Sequence, residues 1–130
     1  MNDIDIITKI LKMRTIAVVG FSPKKERPSN YVSMYMRNNG YVVIPVNPGH
    51  KEIAGMTCYP NLESIPEQVD VVDIFRRSEF VLPIVESAIY ISAKAIWMQD
   101  RVFHEDAAQK AKDAGLLVIM DNCILRQHRL

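Results

Sequence analysis

The sequence predicts an α/β fold in which a five-stranded, mainly parallel sheet is covered by helices on both faces. Two observations carry that expectation. Short β-branched apolar runs alternate along the chain with segments whose apolar residues recur at helical spacing. The runs are also near-continuously apolar, as a strand packed on both faces requires, and lack the alternation of a strand with one wet face. A length of 130 residues fits one domain over 1–130, enough to bury about two thirds of the unfolded surface.

Residues 4–12 place Ile4, Ile7 and Leu11 on one helical face, with acids mixed in, and read as an amphipathic helix. TIAVVG, residues 15–20, is the first strand and ends on glycine. Ser29 or Asn30 can cap a helix over residues 31–38, whose Val32, Tyr35 and Met36 share a face and whose Gly40 supplies a left-handed stop. YVVIPV, residues 41–46, is the second strand. Residues 47–66 are turn-rich, with a short strand at 56–59 and a brief helix at 62–64 capped by Asn61. VDVVDIF, residues 69–75, is the third main strand. A helix follows to about residue 91, opened by Ser78 or starting nearer Phe80, because Pro83 is best tolerated in a first turn. AKAIWM (93–98) and LLVIM (116–120) are the fourth and fifth main strands, separated by a helix over 105–114 that Gly115 ends. Right-handed crossovers with a reversal after the first strand give a doubly wound, Rossmann-like order, 3-2-1-4-5, whose ligand crevice lies at the carboxyl ends of strands one and four.

Composition narrows the function. A hydrophobic content of 48%, a charged content of 24% and a net charge of +1 describe an ordinary globular protein, without the basic excess of a nucleic-acid binder. The apolar runs are too short for a signal peptide or a membrane span, so the cytoplasm is the expected location. Cys58 and Cys123 are far apart and form no CxxC spacing, so two reduced thiols are expected and a metal site is not. The three histidines, His50, His104 and His128, are scattered over loops and tail. Trp97 lies inside a strand and is expected to pack in the core. Asp73 interrupts an apolar run, so it needs a buried partner and is assigned a structural role.

The turn after the first strand, GFSPKKERPS, can receive an anion on backbone N–H groups and at the positive end of the next helix. Ser22 adds a neutral donor, and Lys24, Lys25 and Arg27 add charge. The glycine fingerprint GxGxxG is absent, the second strand ends in PVNPG where an NAD ribose wants an acid, and no GxxxxGK[ST] loop is present. The residues alone leave two readings open: a phosphate-bearing nucleotide that is neither NAD nor Walker-bound ATP, or a solvated cationic turn.

Taken together, VVGFSPKKERPSNYV, YVVIPVNPGHKEIAGMTCYPNLESIP, VDVVDIFRR, AKAIWMQ and VIMDNC resemble the small coenzyme A-binding proteins of bacteria and archaea. They are similar also to the CoA-binding domain of succinyl-CoA synthetase alpha subunits, and the likeness runs from about residue 13 to 128. The resemblance implies a Rossmann-like domain that holds coenzyme A or an acyl-CoA by its 3′-phospho-ADP portion. Gly20, Phe21, Ser22 and Pro23 correspond to the turn at the diphosphate, with Lys24 and Arg27 as charge partners and Ser29 and Asn30 completing that stretch. Asn47 and Pro48 correspond to the loop beside the nucleotide. Phe75 and Arg76 correspond to the loop where adenine rests and a phosphate is paired. Pantetheine is expected to run past Trp97, Met98 and Gln99.

The chain departs from the family pattern at Asp100 and Arg101, where a small residue is common, and at Asn122 and Gln127, where arginine and glutamate are typical. Those departures put the thiol end of the pocket in question. The histidine phosphorylated in the synthetases belongs to a different domain there, so the resemblance carries no catalytic residue over. A nucleotide-dependent or CoA-thiol redox enzyme using Cys123 is the alternative, as is an interaction subunit, and a homodimer or a partner protein stays open.

Overall fold

The computed structural model describes residues 2–130. Helix α1 (Asp3–Leu11) is capped by Asn2, whose side chain accepts the Asp5 N–H. Strand β1 (Thr15–Val19), helix α2 (Pro28–Asn38) and strand β2 (Val42–Val46) follow. A small hairpin of β3 (Glu52–Ile53) and β4 (Met56–Thr57) and a 3-10 turn over Leu62–Ser64 lead to β5 (Val71–Ile74). A second 3-10 turn, Ser78–Phe80, runs into α3 (Val81–Tyr90), then come β6 (Ala95–Met98), α4 (Glu105–Asp113), β7 (Leu117–Ile119) and α5 (Ile124–Arg129).

The five long strands form one parallel sheet in the order β2-β1-β5-β6-β7. The expected α/β, Rossmann-like class is met, and the strand order differs in numbering. The third main strand, β5, pairs with β1 through Ile16 and Val71 instead of lying outside β2. Among the described residues the outer side of β2 carries only a parallel bridge from Val46 to Tyr59, so the short 56–59 segment takes the position given to a third strand. All four residues of β5 are buried. A central place gives its backbone a hydrogen-bonding neighbour on both edges, which an outer place would not.

Two apolar layers explain why the strands do not alternate. On one face Ala17, Ile44, Val72 and Ile96 pack against α3 and α4 through Val85 and Ala111. On the other, Ile16, Val18, Val71 and Trp97 pack against α1, α2 and α5 through Ile10, Met36 and Ile124. Trp97 is fully buried, as expected, and donates from Nε1 to the Asn122 carbonyl at 2.9 Å. The brief helix capped by Asn61 is also present, with Oδ1 accepting the Ser64 N–H at 2.9 Å.

Two local expectations are corrected. Helix α2 starts at Pro28, with Arg27 as its N-cap and no side-chain cap, so Ser29 and Asn30 lie inside its first turn. Proline suits that position because its missing N–H would have no intrahelical partner. The C-terminal residues, read as loop and tail, form helix α5 from Ile124 to Arg129, whose six residues are too few to display a helical period in sequence.

Asp73 sits in the middle of β5, 1% exposed. The buried partner it requires is a side chain: Gln99 Nε2 donates to Oδ1 at 2.7 Å. Burial pushes the carboxyl up to about 7, with the Gln99 bond pulling the other way. A folded value above the unfolded one means the native chain holds the proton more tightly, so stability is full below about pH 4 and falls as pH rises toward 7. Every tenfold gain in proton affinity is about 1.36 kcal/mol, so the ionised form costs on the order of 4 kcal/mol by pH 8. Asp73→Asn keeps an oxygen for Gln99 and cannot ionise. Thermal unfolding should show its Tm about 10 to 20 °C above the parent at pH 8 and near the parent at pH 4; equal differences at both pH values would refute the assignment.

Candidate functional site

The carboxyl ends of β1 and β5 approach each other at Gly20, which has φ +90°. A Cβ there would lie 2.6 Å from the Phe75 carbonyl oxygen, so both the backbone angle and the space demand glycine. The Gly20 N–H donates to the Val46 carbonyl at 3.0 Å and the Phe75 N–H to Val19 at 2.9 Å, tying the loops after β1, β2 and β5 together.

The rest of the turn is held by side chains. Ser29 Oγ accepts the Ser22 N–H at 2.9 Å, Asn30 Nδ2 donates to the Ser22 carbonyl at 2.9 Å, and Ser22 Oγ accepts the Lys24 N–H at 3.1 Å. Asn47 reaches across from β2: its Nδ2 donates to the Phe21 carbonyl at 3.0 Å while its Oδ1 accepts the Gly49 N–H at 2.9 Å. Ser29, Asn30 and Asn47 therefore fix the turn, and the Ser22 N–H, one of the backbone donors expected to receive an anion, is already used. The Phe21 side chain is wholly buried and anchors the turn in the core, whereas Pro23 and Lys24 are exposed.

Two clefts open on either side of this pinch. The smaller, about 460 Å³, lies on the β2 side, where Asn47, Pro48, Leu62, Ile84 and Ser87 make a mixed apolar and polar wall. The larger, about 770 Å³, is bounded by the loops after β1, β5 and β6 and by α2 and α5. Gly20, Phe75 and Arg76 line both. Of the residues singled out from sequence, Ser22, Arg27, Ser29 and Gln99 line the larger cleft, and Phe21, Pro23, Lys24 and Asn30 line neither. Met98 and Trp97 are fully buried and cannot face it, so of the fourth-strand trio only Gln99 does.

The larger cleft is rich in guanidinium: Arg27, Arg76, Arg77, Arg101, Arg126 and Arg129 line it, against a single carboxylate, Asp100. Arg126 grips Asp100 through both oxygens at 2.8 and 3.0 Å. That pair, with a weaker pull from Arg101, holds the Asp100 carboxyl below its ordinary range despite some burial. Arg77 meets Glu79 at 3.7 Å, both well exposed. Arg76 lies over the Phe80 ring, 4.6 Å from its centroid, which sets the plane of its fork. Sequence reasoning placed Arg101 at the thiol end only as a departure from the family pattern and missed Arg77, Arg126 and Arg129, which lie after β5 and on α5.

The remaining candidates have ordinary surroundings. His104 Nδ1 accepts the Ala107 N–H and caps α4, and His128 Nδ1 meets the Tyr35 hydroxyl at 2.8 Å. Burial pushes the Cys58 thiol up, while Cys123 is half-buried along the larger cleft. No group of three or more His, Cys, Asp or Glu residues stands ready for a metal among the described residues. Chemically, the guanidiniums of the larger cleft suit an anion.

The family model for the CoA binding domain matches residues 14–129. Uncharacterized protein YneT of Bacillus subtilis is 38% identical over 117 residues, covering 90% of this chain and 87% of that one. Acetate–CoA ligase [ADP-forming] I of Archaeoglobus fulgidus is 30% identical over 121 residues, which is 85% of this chain and 18% of the ligase. A hypothetical protein from Pyrococcus horikoshii OT3 has a solved structure with TM-score 0.94 at 39% identity, covering 99% of this chain and 91% of that one. With a match over nearly its whole length, a parallel sheet of the same architecture and clefts at the carboxyl edge of that sheet, the chain belongs to the CoA binding domain family.

Proposed function

We propose that the chain binds coenzyme A or an acyl-CoA through its 3′-phospho-ADP portion, as a cytoplasmic binding protein for a small molecule. The observation that carries this is the meeting of two chemically different clefts at Gly20 and Arg76. In this reading adenine lies in the smaller cleft against Pro48 and Ile84, with Phe75 at its edge. The diphosphate crosses the pinch at Gly20 and Ser22. Arg27 and Arg76 pair with it, since a rigid fork matches two phosphate oxygens at once. Pantetheine then runs into the larger cleft past Gln99, whose amide is fixed by Asp73. Ser29, Asn30 and Asn47 serve by holding the turn. Membership of the family supports the ligand class, and no described helix is long and apolar enough to cross a membrane.

A second reading rests on one observation, that Cys123 lines the same cleft. A Cys123 thiolate would attack the disulfide of oxidised coenzyme A, forming a protein–CoA disulfide and releasing the other CoA as thiol.

Thermal-shift measurements against CoA, dephospho-CoA, NAD, NADP and ATP should single out CoA, with a gain of about 2.7 kcal/mol at 100 times the dissociation constant. An equal response to NAD or ATP would overturn the reading. By calorimetry Arg27→Ala and Arg76→Ala should each weaken CoA binding by about 1 to 3 kcal/mol while the ligand-free Tm holds; unchanged affinity in both would remove them from the site. Gly20→Ala should lower stability by about 2 to 4 kcal/mol, from left-handed strain plus the clash with Phe75, and weaken CoA binding with it. A parent-like Tm would show that the pinch is not constrained. For the thiol reading, mass spectrometry after incubation with oxidised CoA should detect an adduct that Cys123→Ser abolishes, and no adduct on the parent chain would end it.

A further inference from the structure

The arginines of the larger cleft exceed what one diphosphate uses. Arg77 and Arg126 have carboxylate partners within the chain, whereas Arg27, Arg76, Arg101 and Arg129 have none within 4.0 Å among the described residues. Arg27 and Arg76 belong to the turns beside Gly20. Arg101 belongs to the loop after β6, and Arg126 and Arg129 to α5, so they form the opposite wall together with Cys123 and Leu125. Arg101 is held in a left-handed conformation, φ 69°, with its N–H bonded to Asp121 Oδ1 at 2.7 Å. A side chain with a Cβ takes that angle at a cost, so the loop fixes where this arginine starts.

This wall already holds one carboxylate. Asp100 is seated on Arg126 through both oxygens, and Arg101 also acts on it. Three guanidiniums against two carboxylates, Asp100 and the Asp121 that accepts the Arg101 N–H and also acts on Arg126, leave an excess of positive charge at this end. Resting on the coenzyme A reading, in which the nucleotide fills the β2 side and the pantetheine arm points toward β6 and α5, the group carried on the thiol arrives here.

We propose that the wall of Arg101, Arg126 and Arg129 binds a second anion, the free carboxylate of a dicarboxylic acyl group on coenzyme A, and so selects charged over neutral thioesters. Asp100 tunes that choice. By occupying the Arg126 fork it competes with the incoming carboxylate, so the charge left for the acyl group comes mainly from Arg101 and Arg129. The same guanidiniums could instead meet the 3′-phosphate, which is the other anion that CoA carries, and the test separates the two.

Calorimetry with butyryl-CoA and succinyl-CoA compares a methyl with a carboxylate on acyl chains of matched length. Succinyl-CoA should bind roughly 5 to 20 times more tightly, as one charge-assisted pair predicts. Arg101→Gln combined with Arg129→Gln should bring the ratio to about one, and Asp100→Asn should raise it several-fold. Equal affinities for the two esters in the parent chain would overturn the proposal. So would a double variant that weakens both esters and CoA alike while leaving dephospho-CoA binding as it was, because the arginines would then serve the 3′-phosphate. Failure of every CoA species to bind would overturn the coenzyme A reading, and this proposal with it.

Discussion

The contact between Gly20 and the Phe75 carbonyl is the constraint from which the site follows. Parallel strands β1 and β5 are neighbours, and their carboxyl ends converge so closely that a Cβ on residue 20 would sit 2.6 Å from a backbone oxygen. That closeness divides the carboxyl edge of the sheet into two clefts where a looser turn would leave one wide groove. It also lets the Gly20 N–H reach Val46, so three loops share one rigid junction. The switch point of a doubly wound sheet supplies a crevice by topology; this glycine gives the crevice its shape.

Around that junction the polar side chains divide their labour. Ser29, Asn30 and Asn47 commit their hydrogen bonds to the backbone of the turn, which leaves few neutral donors for a ligand. Positive charge is supplied from further away by arginines on four separate segments. The arrangement suits anions, because a guanidinium can remain solvated until the ligand arrives, whereas a buried unpaired backbone N–H would cost stability throughout. Asp73 and Gln99 follow the same logic beneath the cleft: an acid buried in a central strand is tolerated because one amide satisfies it, and that amide is thereby fixed where it borders the cleft.

Much of the fold was legible in the sequence because both-sided burial leaves a plain mark. TIAVVG, YVVIPV and VDVVDIF could only be strands covered on two faces, and the observed strands fall within them. That Gly20, Asn47 and Phe75 meet at the carboxyl edge was also legible, since alternating strands and helices place the loops after the first three main strands there. What was not legible depended on contacts remote in sequence. Ser29 and Asn30 look like caps until Pro28 is seen to open the helix, and Lys24 looks like a ligand partner until the turn directs it to solvent. Helix α5 owes its existence to Ile124 docking in the core and to the Trp97 bond at Asn122, neither of which a six-residue period can announce. Arg77, Arg126 and Arg129 share no motif; the order of strands brings them together with Arg101.

Those arginines also explain why lysines nearer the turn are poor substitutes. Lys24 and Lys25 are exposed and line neither cleft, so in water their charge is strongly screened beyond about 8 Å at physiological salt. An isolated exposed ion pair contributes about 0.2 to 1 kcal/mol, too little to define a site. Several forks converging on one volume behave differently. Each offsets its ordering cost against a shared anion, and geometry that is bidentate, as at Arg126 and Asp100, adds direction that a point charge lacks. The gathering of the arginines around the larger cleft is therefore a property of the strand order, because the segments that carry them are remote in sequence.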